Sequence, residues 1–197
     1  MNPEPASAGA AGRIAVIIGS TRPTRICPGI AHWSAHVLRQ ESPLCYEIID
    51  LADAGLPFLD EPLKPALGDY RHEHTPGRGA AWSAATRGSC SSSRSTTGDY
   101  PAPVKNALDF LYREWHGKPA TSVTYGTRGG GKAADQLRHV LEGLHMRPLA
   151  TRLEITITDR QVDEDWQLTD LAATMQPYAA LTRRIDAEMI EVLQDSQ

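Results

Sequence analysis

The chain has 197 residues, 41% of them hydrophobic, and a formal charge of −4. That length predicts one domain with a real core, and the charge gives no electrostatic reason to expect nucleic acid as a partner. Three cysteines without framework spacing fit a reducing cytoplasm, and no apolar run approaches the roughly 20 residues that span a bilayer, so a soluble cytoplasmic protein with no membrane partner is expected.

Met1 to Gly12 is rich in Ala, Gly and Pro, with no basic region and no apolar core. It is expected to be a disordered tail and not a signal peptide, leaving 13–197 as a single domain. Ile14 to Ile18 is an apolar, mostly β-branched run, the mark of a strand covered on both faces. Gly19-Ser20-Thr21-Arg22 breaks it, and Pro28 with Ile30, Trp33, Val37 and Leu38 predicts a helix. Strand, polar loop and helix form a layout that can hold a phosphate, because backbone N–H groups and the positive helix end face the anion. It is neither a Gly-x-Gly-x-x-Gly loop nor a Walker loop. The same layout also serves as an ordinary βα turn.

Leu44 to Leu51 predicts the second strand, ending in Asp50, which either caps the next turn or contacts a ligand. Ala52 to Thr75 carries Pro57, Pro62 and Pro65 and is too broken for a regular element. Within it, Arg71-His72-Glu73-His74 has His-x-His spacing, but no Cys/His/Asp cluster accompanies it, so no metal is expected. Pro101 to Trp115 predicts one helix, with Val104, Leu108, Leu111, Tyr112 and Trp115 as its apolar stripe. Pro119 to Tyr125 predicts a strand that runs into Gly126-Thr127-Arg128-Gly129-Gly130-Gly131, where glycines let a backbone approach a flat ligand. Ala133 to Leu144 predicts a helix, and Met146 to Thr158 a last strand region. From Trp166 a helix face runs to Val192, with Pro177 as a kink or a break. Strands alternating with helices imply a parallel, doubly wound sheet, which binds ligands at the carboxyl ends of its strands.

Gly19-Ser20-Thr21-Arg22-Pro23, Lys105-Asn106-Ala107-Leu108-Asp109, and Tyr125-Gly126 with Gly129-Gly130-Gly131 together resemble the NADPH-dependent FMN reductase family of flavodoxin-like proteins, from about Arg13 to Thr158. The resemblance implies an α/β fold with strand order 2-1-3-4-5, and FMN as cofactor with NADPH or NADH as co-substrate. It implies a phosphate held in the Ser20 to Ile26 loop by the hydroxyls of Ser20 and Thr21, with Arg22 or Arg25 pairing with its charge and Ile26 closing the loop. The flavin ring would lie against Tyr125, with backbone N–H groups of Gly126, Gly129 and Gly130 at its edge. The bland reading of the two arginines is solvated loop charge. No catalytic side chain is implied, since the chemistry belongs to the flavin. Cys27 sits at a helix start, where a thiolate is favoured, yet nothing nearby completes a nucleophilic site. The implied enzyme passes electrons from NAD(P)H to a small-molecule acceptor and forms a homodimer or homotetramer. A flavodoxin-type electron carrier and an inactive, flavin-less α/β module are the alternatives.

One segment departs from the family pattern. Where a hydrophobic third strand and a Pro-Glu-Tyr-Asn loop belong, the chain reads Ser89-Cys90-Ser91-Ser92-Ser93-Arg94-Ser95-Thr96-Thr97. Serines at a central strand conflict with burial there, so a compromised or replaced third strand is expected. Read one base out of register, such serine codons encode Phe, Leu, Ile or Val, and Arg94 to Thr97 can encode Pro-Glu-Tyr-Asn. Paired frameshifts bracketing about 76–97 would produce this pattern, and a true polar variant is the alternative.

Overall fold

The structure, a computed structural model, describes residues 12–68, the backbone of 88–94, and residues 98–195. The N-terminal tail and the Arg71 to His74 motif therefore lie outside the described residues. The element order is β1 (Arg13–Ile18), α1 (Cys27–Arg39), β2 (Cys45–Asp50), a short α2 (Leu51–Ala54) and β3 (Gly88–Arg94). These are followed by α3 (Ala102–Asp109), β4 (Pro119–Gly126), α4 (Gly131–Gly143), β5 (Arg147–Pro148), β6 (Leu153–Thr156), α5 (Leu171–Met175) and α6 (Ala179–Gln194).

The strands form one parallel sheet ordered β2-β1-β3-β4-β5, with β6 also pairing β4. Alternation along β1 divides the core into two layers. Ile14, Val16 and Ile18 pack with Ile30 and Leu38 of α1 and with Met175, Ile185 and Met189 of α5 and α6. Ala15 and Ile17 join the opposite layer, with Val104 and Leu108 of α3 and Leu137 and Leu141 of α4. Both faces are covered, which is why β1 and β4 carry buried residues at nearly every position.

The serine-rich segment supplies β3, paired with β1 on one side and β4 on the other. The third strand expected to be compromised is thus continuous as backbone. Ladder hydrogen bonds are made by main-chain groups that every residue carries, so polar composition leaves the pairing intact.

Three other expectations change in detail. The helix expected over Pro101 to Trp115 stops at Asp109, and the indole N–H of Trp115 folds back to donate to the Leu108 carbonyl at 3.0 Å. That bond satisfies a carbonyl of the last turn which would otherwise have no partner within the helix. The last strand region divides into β5 and β6. Between them the Thr151 amide turns away from the sheet to donate to Glu188 Oε2 at 2.8 Å. Trp166 lies outside any helix, because α5 begins only after Asp170, whose carboxylate accepts from the Ala173 amide at 2.9 Å. Pro177 does separate α5 from α6, through a single 3₁₀ turn at Gln176–Tyr178. Among the described residues no helix is long and apolar enough to cross a membrane.

Candidate cofactor site

β1 and β4 deliver two loops to the same end of the sheet, their carboxyl edge, where open α/β sheets bind ligands. Between the loops lies a cavity of about 440 Å³, within the usual span of ligand sites, roughly 300–1,000 Å³. Arg22, Thr24 and Ile26 of the first loop form one wall, and Tyr125, Gly126 and Thr127 of the second form another. A third wall comes from Ile157, Val162 and the Glu164-Asp165-Trp166 turn that follows β6.

The first loop feeds α1, a helix of 13 residues whose N-cap is Ile26 and which starts with a proline in its first turn. Among the described residues no side chain caps this end. Its first amides therefore have no helical partner and no capping oxygen, and with the helix dipole they favour an anion. Arg22, exposed on the cavity wall, adds a full positive charge. The cavity thus has an electropositive end of the kind that holds a phosphate.

The nine residues expected at the site divide into groups. Arg22, Ile26, Tyr125 and Gly126 line the cavity together. Ser20 lies beneath the loop, only 2% exposed, with its carbonyl facing the Cys27 thiol at 3.9 Å. Thr21 lines a separate cavity of about 370 Å³, beside Leu51 and Phe58. Arg25 makes a salt bridge with Asp50 at 2.5 Å, both side chains about five-sixths buried (16% and 15% exposed). Asp50 also caps α2, accepting from the Ala52 amide at 2.9 Å. Capping and ion pairing together account for Asp50, and they leave Arg22 as the guanidinium on the cavity wall.

Gly129 and Gly130 are buried beneath the second loop with positive φ of 73° and 84°. The Gly129 amide donates to the Gly126 carbonyl at 3.2 Å, closing a tight turn. A Cβ on Gly129 would come within 3.3 Å of Glu154 Cβ, and one on Gly131 within 2.7 Å of Glu154 Oε2. Positive φ at Gly129 and Gly130, and the β6 strand beside Gly129 and Gly131, each favour glycine here. Gly126 differs: a Cβ there would meet nothing within 4 Å, and the residue borders the cavity. Tyr125 borders the cavity too, but its side chain is 1% exposed and packs in the core layer under α1. Burial pushes the Cys27 thiol up, above its ordinary value, against the smaller opposing pull of the Ser20 carbonyl and of Tyr125. Desolvation outweighs the helix end, so no thiolate is favoured at this position.

Sequence reading missed the third wall. Its signal was a turn signature: Asp163 followed by Glu164, Asp165 and Trp166, in which the Asp163 carboxylate accepts from the amides of Asp165 (3.0 Å) and Gln167 (2.8 Å). Among the described residues no group of three or more His, Cys, Asp or Glu could hold a metal.

A doubly wound parallel sheet with an uncapped helix N-terminus at its carboxyl edge defines a flavodoxin-like α/β protein. The chain belongs to the NADPH-dependent FMN reductase family, whose profile matches residues 13–156. It is 43% identical over 147 residues to an NAD(P)H-dependent FMN reductase of Schizosaccharomyces pombe, covering 74% of this chain and 73% of that protein. It is 35% identical over 144 residues to an NAD(P)H-dependent FMN reductase of Saccharomyces cerevisiae, covering 68% and 75%. In fold it is similar to FerB, a flavoenzyme NAD(P)H:(acceptor) oxidoreductase from Paracoccus denitrificans. That match has a TM-score of 0.70 at 18% identity and covers 92% of this chain and 98% of that one.

Proposed function

We propose that the chain is an NAD(P)H-dependent FMN reductase that reduces a small acceptor of quinone type. The overall reaction is NAD(P)H + H⁺ + acceptor → NAD(P)⁺ + acceptor-H₂, a transfer of two electrons and two protons. The observation that carries the reading is the cavity itself. Arg22 and the uncapped start of α1 meet the open surface of Gly126 across one cavity, in a chain of this family.

The residues present fit FMN. Arg22 and the first amides of α1 would hold its phosphate, with Thr24 and the Thr21 and Ser20 segment shaping that end. The backbone from Tyr125 to Thr127 would support the ring, and Gly126 allows its close approach. Gly129 and Gly130 would fix that loop from below. The chemistry FMN supplies when bound is two-electron exchange, taking a hydride from the nicotinamide and releasing electrons to the acceptor. The chain binds and orients both partners and needs no titrating side chain for this.

Purified protein should carry the yellow flavin band, and NADH or NADPH should bleach it anaerobically, with a quinone restoring it. Bound flavin that neither nicotinamide bleaches would instead mark an electron carrier, and protein that takes up no FMN would refute the reading. A homodimer or homotetramer in the cytoplasm completes the proposal. Its support is the second cavity beside Leu51 and Phe58, the latter 86% exposed. Light scattering on the purified protein tests the assembly, and a monomer would overturn it.

A further inference from the structure

We propose that the turn Asp163 to Gln167 is the acceptor-selecting wall of the cavity: Trp166 stacks a planar aromatic acceptor, and Glu164 with Asp165 reject acceptors that carry negative charge. The proposal rests on the reductase reading given above.

The turn is built to hold one side chain in place. The Asp163 carboxylate accepts from two amides, the Trp166 amide donates to the Asp163 carbonyl at 3.0 Å, and the Asp163 amide donates to the Gln167 carbonyl at 2.9 Å. Together these bonds put Trp166 at φ 58°, a left-handed conformation that bulky residues seldom adopt. The turn is anchored at both ends. Val162 and Leu168 form an antiparallel bridge below it. The Gln167 amide group reaches across to donate to the Thr24 carbonyl in the phosphate loop, at 3.2 Å.

The indole so held is 47% exposed and lines the cavity, whereas Trp115 is 3% exposed and serves the core. An indole face at a cavity mouth offers a flat, polarisable surface that suits another flat ring. Charge sorts the candidates further. Among the lining residues one guanidinium, Arg22, stands against two carboxylates, Glu164 and Asp165. Glu164 and Asp165 immediately precede Trp166 in the turn, so both carboxylates flank the indole. A neutral or cationic flat acceptor meets an attractive or indifferent field there, and an anionic one meets repulsion.

The experiment uses the full-length flavoprotein in its oxidised form, so that no turnover occurs, and two probes: a neutral naphthoquinone and the same quinone carrying one sulfonate. Equilibrium binding of each is measured at low and high salt. The wild type should prefer the neutral quinone by about tenfold at low salt, a preference that shrinks as salt screens the carboxylates. Glu164→Gln with Asp165→Asn should reduce the preference to about threefold or less through tighter binding of the sulfonate. Trp166→Ala should weaken both probes about tenfold and leave the preference intact, with Trp166→Phe restoring most of the affinity. Unchanged affinity in Trp166→Ala, or an unchanged, salt-independent preference in the double variant, would overturn the proposal. Retention of FMN and its bleaching by NAD(P)H in the wild type report separately on the reductase reading.

Discussion

Ser92→Val tests whether the serine-rich central strand is a packing solution or a defect. Position 92 is paired in register with Ile18 of β1 and Val123 of β4. Both neighbours are only 1% exposed and belong to the same core layer. Fully burying a valine side chain at such a register position contributes roughly 1.5–3 kcal/mol. A gain of about 1.5–3 kcal/mol is expected. In a chain of this size each kcal/mol moves Tm by roughly 2–4 °C, so Tm should rise by about 3–12 °C. Urea unfolding should show a higher midpoint with an unchanged slope, since the surface exposed on unfolding hardly changes. A fall in Tm would refute the reasoning. It would mean that the layer is already filled, because forcing extra methyls into a packed core costs about 1–3 kcal/mol. The strand as written would then be native packing, and the out-of-register reading of 76–97 would fail with it.

Arg22→Ala should weaken FMN binding by roughly 1.5–3 kcal/mol, the worth of a charge-assisted bond, in equilibrium dialysis. Arg25→Ala should instead lower stability, by about 1–3 kcal/mol, since it leaves Asp50 without its ion-pair partner in a largely buried setting; equal FMN losses in both variants would contradict this division. The Glu188 carboxyl is pushed up by burial but drawn down further by the Thr151 hydroxyl and amide and by Arg184, for a net value below the usual one. A depressed folded-state value contributes stability that is present above the unfolded value and lost as pH falls through the folded one. Glu188→Gln should accordingly flatten the acid side of the stability–pH curve, and an identical acid limb would count against it. Mass mapping after brief alkylation of the native protein at mild alkaline pH should find Cys45 labelled and Cys27 untouched, because Cys45 is exposed and burial keeps the Cys27 thiol protonated; rapid labelling of Cys27 would show that the layer under the loop opens.

Much of the fold was legible because buried parallel strands and amphipathic helices write simple patterns. Ile14 to Ile18 read as a strand from its apolar run, Pro119 to Tyr125 from its small and β-branched residues, and Ala133 to Leu144 as a helix from its spacing. What stayed hidden was set by single long-range bonds. Nothing local tells that the Trp115 indole reaches the Leu108 carbonyl and ends α3 early, or that Glu188, 37 residues from Thr151, takes its amide and divides the last strand. The two loops stood out by unusual composition, rich in hydroxyls and in glycines, and both border the cavity. Hidden from any local pattern were their long-range neighbours: Glu154 on β6 beside Gly129 and Gly131, and Asp50 beside Arg25.

The pairing of Arg25 with Asp50 also explains the charge layout of the cavity. Two guanidiniums in one short loop would make an indiscriminate basic patch, open to any anion. Asp50, at the end of β2, neutralises one of them and draws it off the wall. The remaining positive charge, Arg22, then sits on the loop that leads into the uncapped start of α1, while Glu164 and Asp165 put negative charge on the wall built by the turn after β6. Arg22 with the uncapped helix start suits the anionic end of a ligand, and the open surface at Gly126 suits a flat end. A free inorganic anion satisfies only the first end, and a neutral ring only the second. FMN, with a phosphate at one end and a ring at the other, would satisfy both, which is why it is assigned to this pair of loops rather than either simpler ligand.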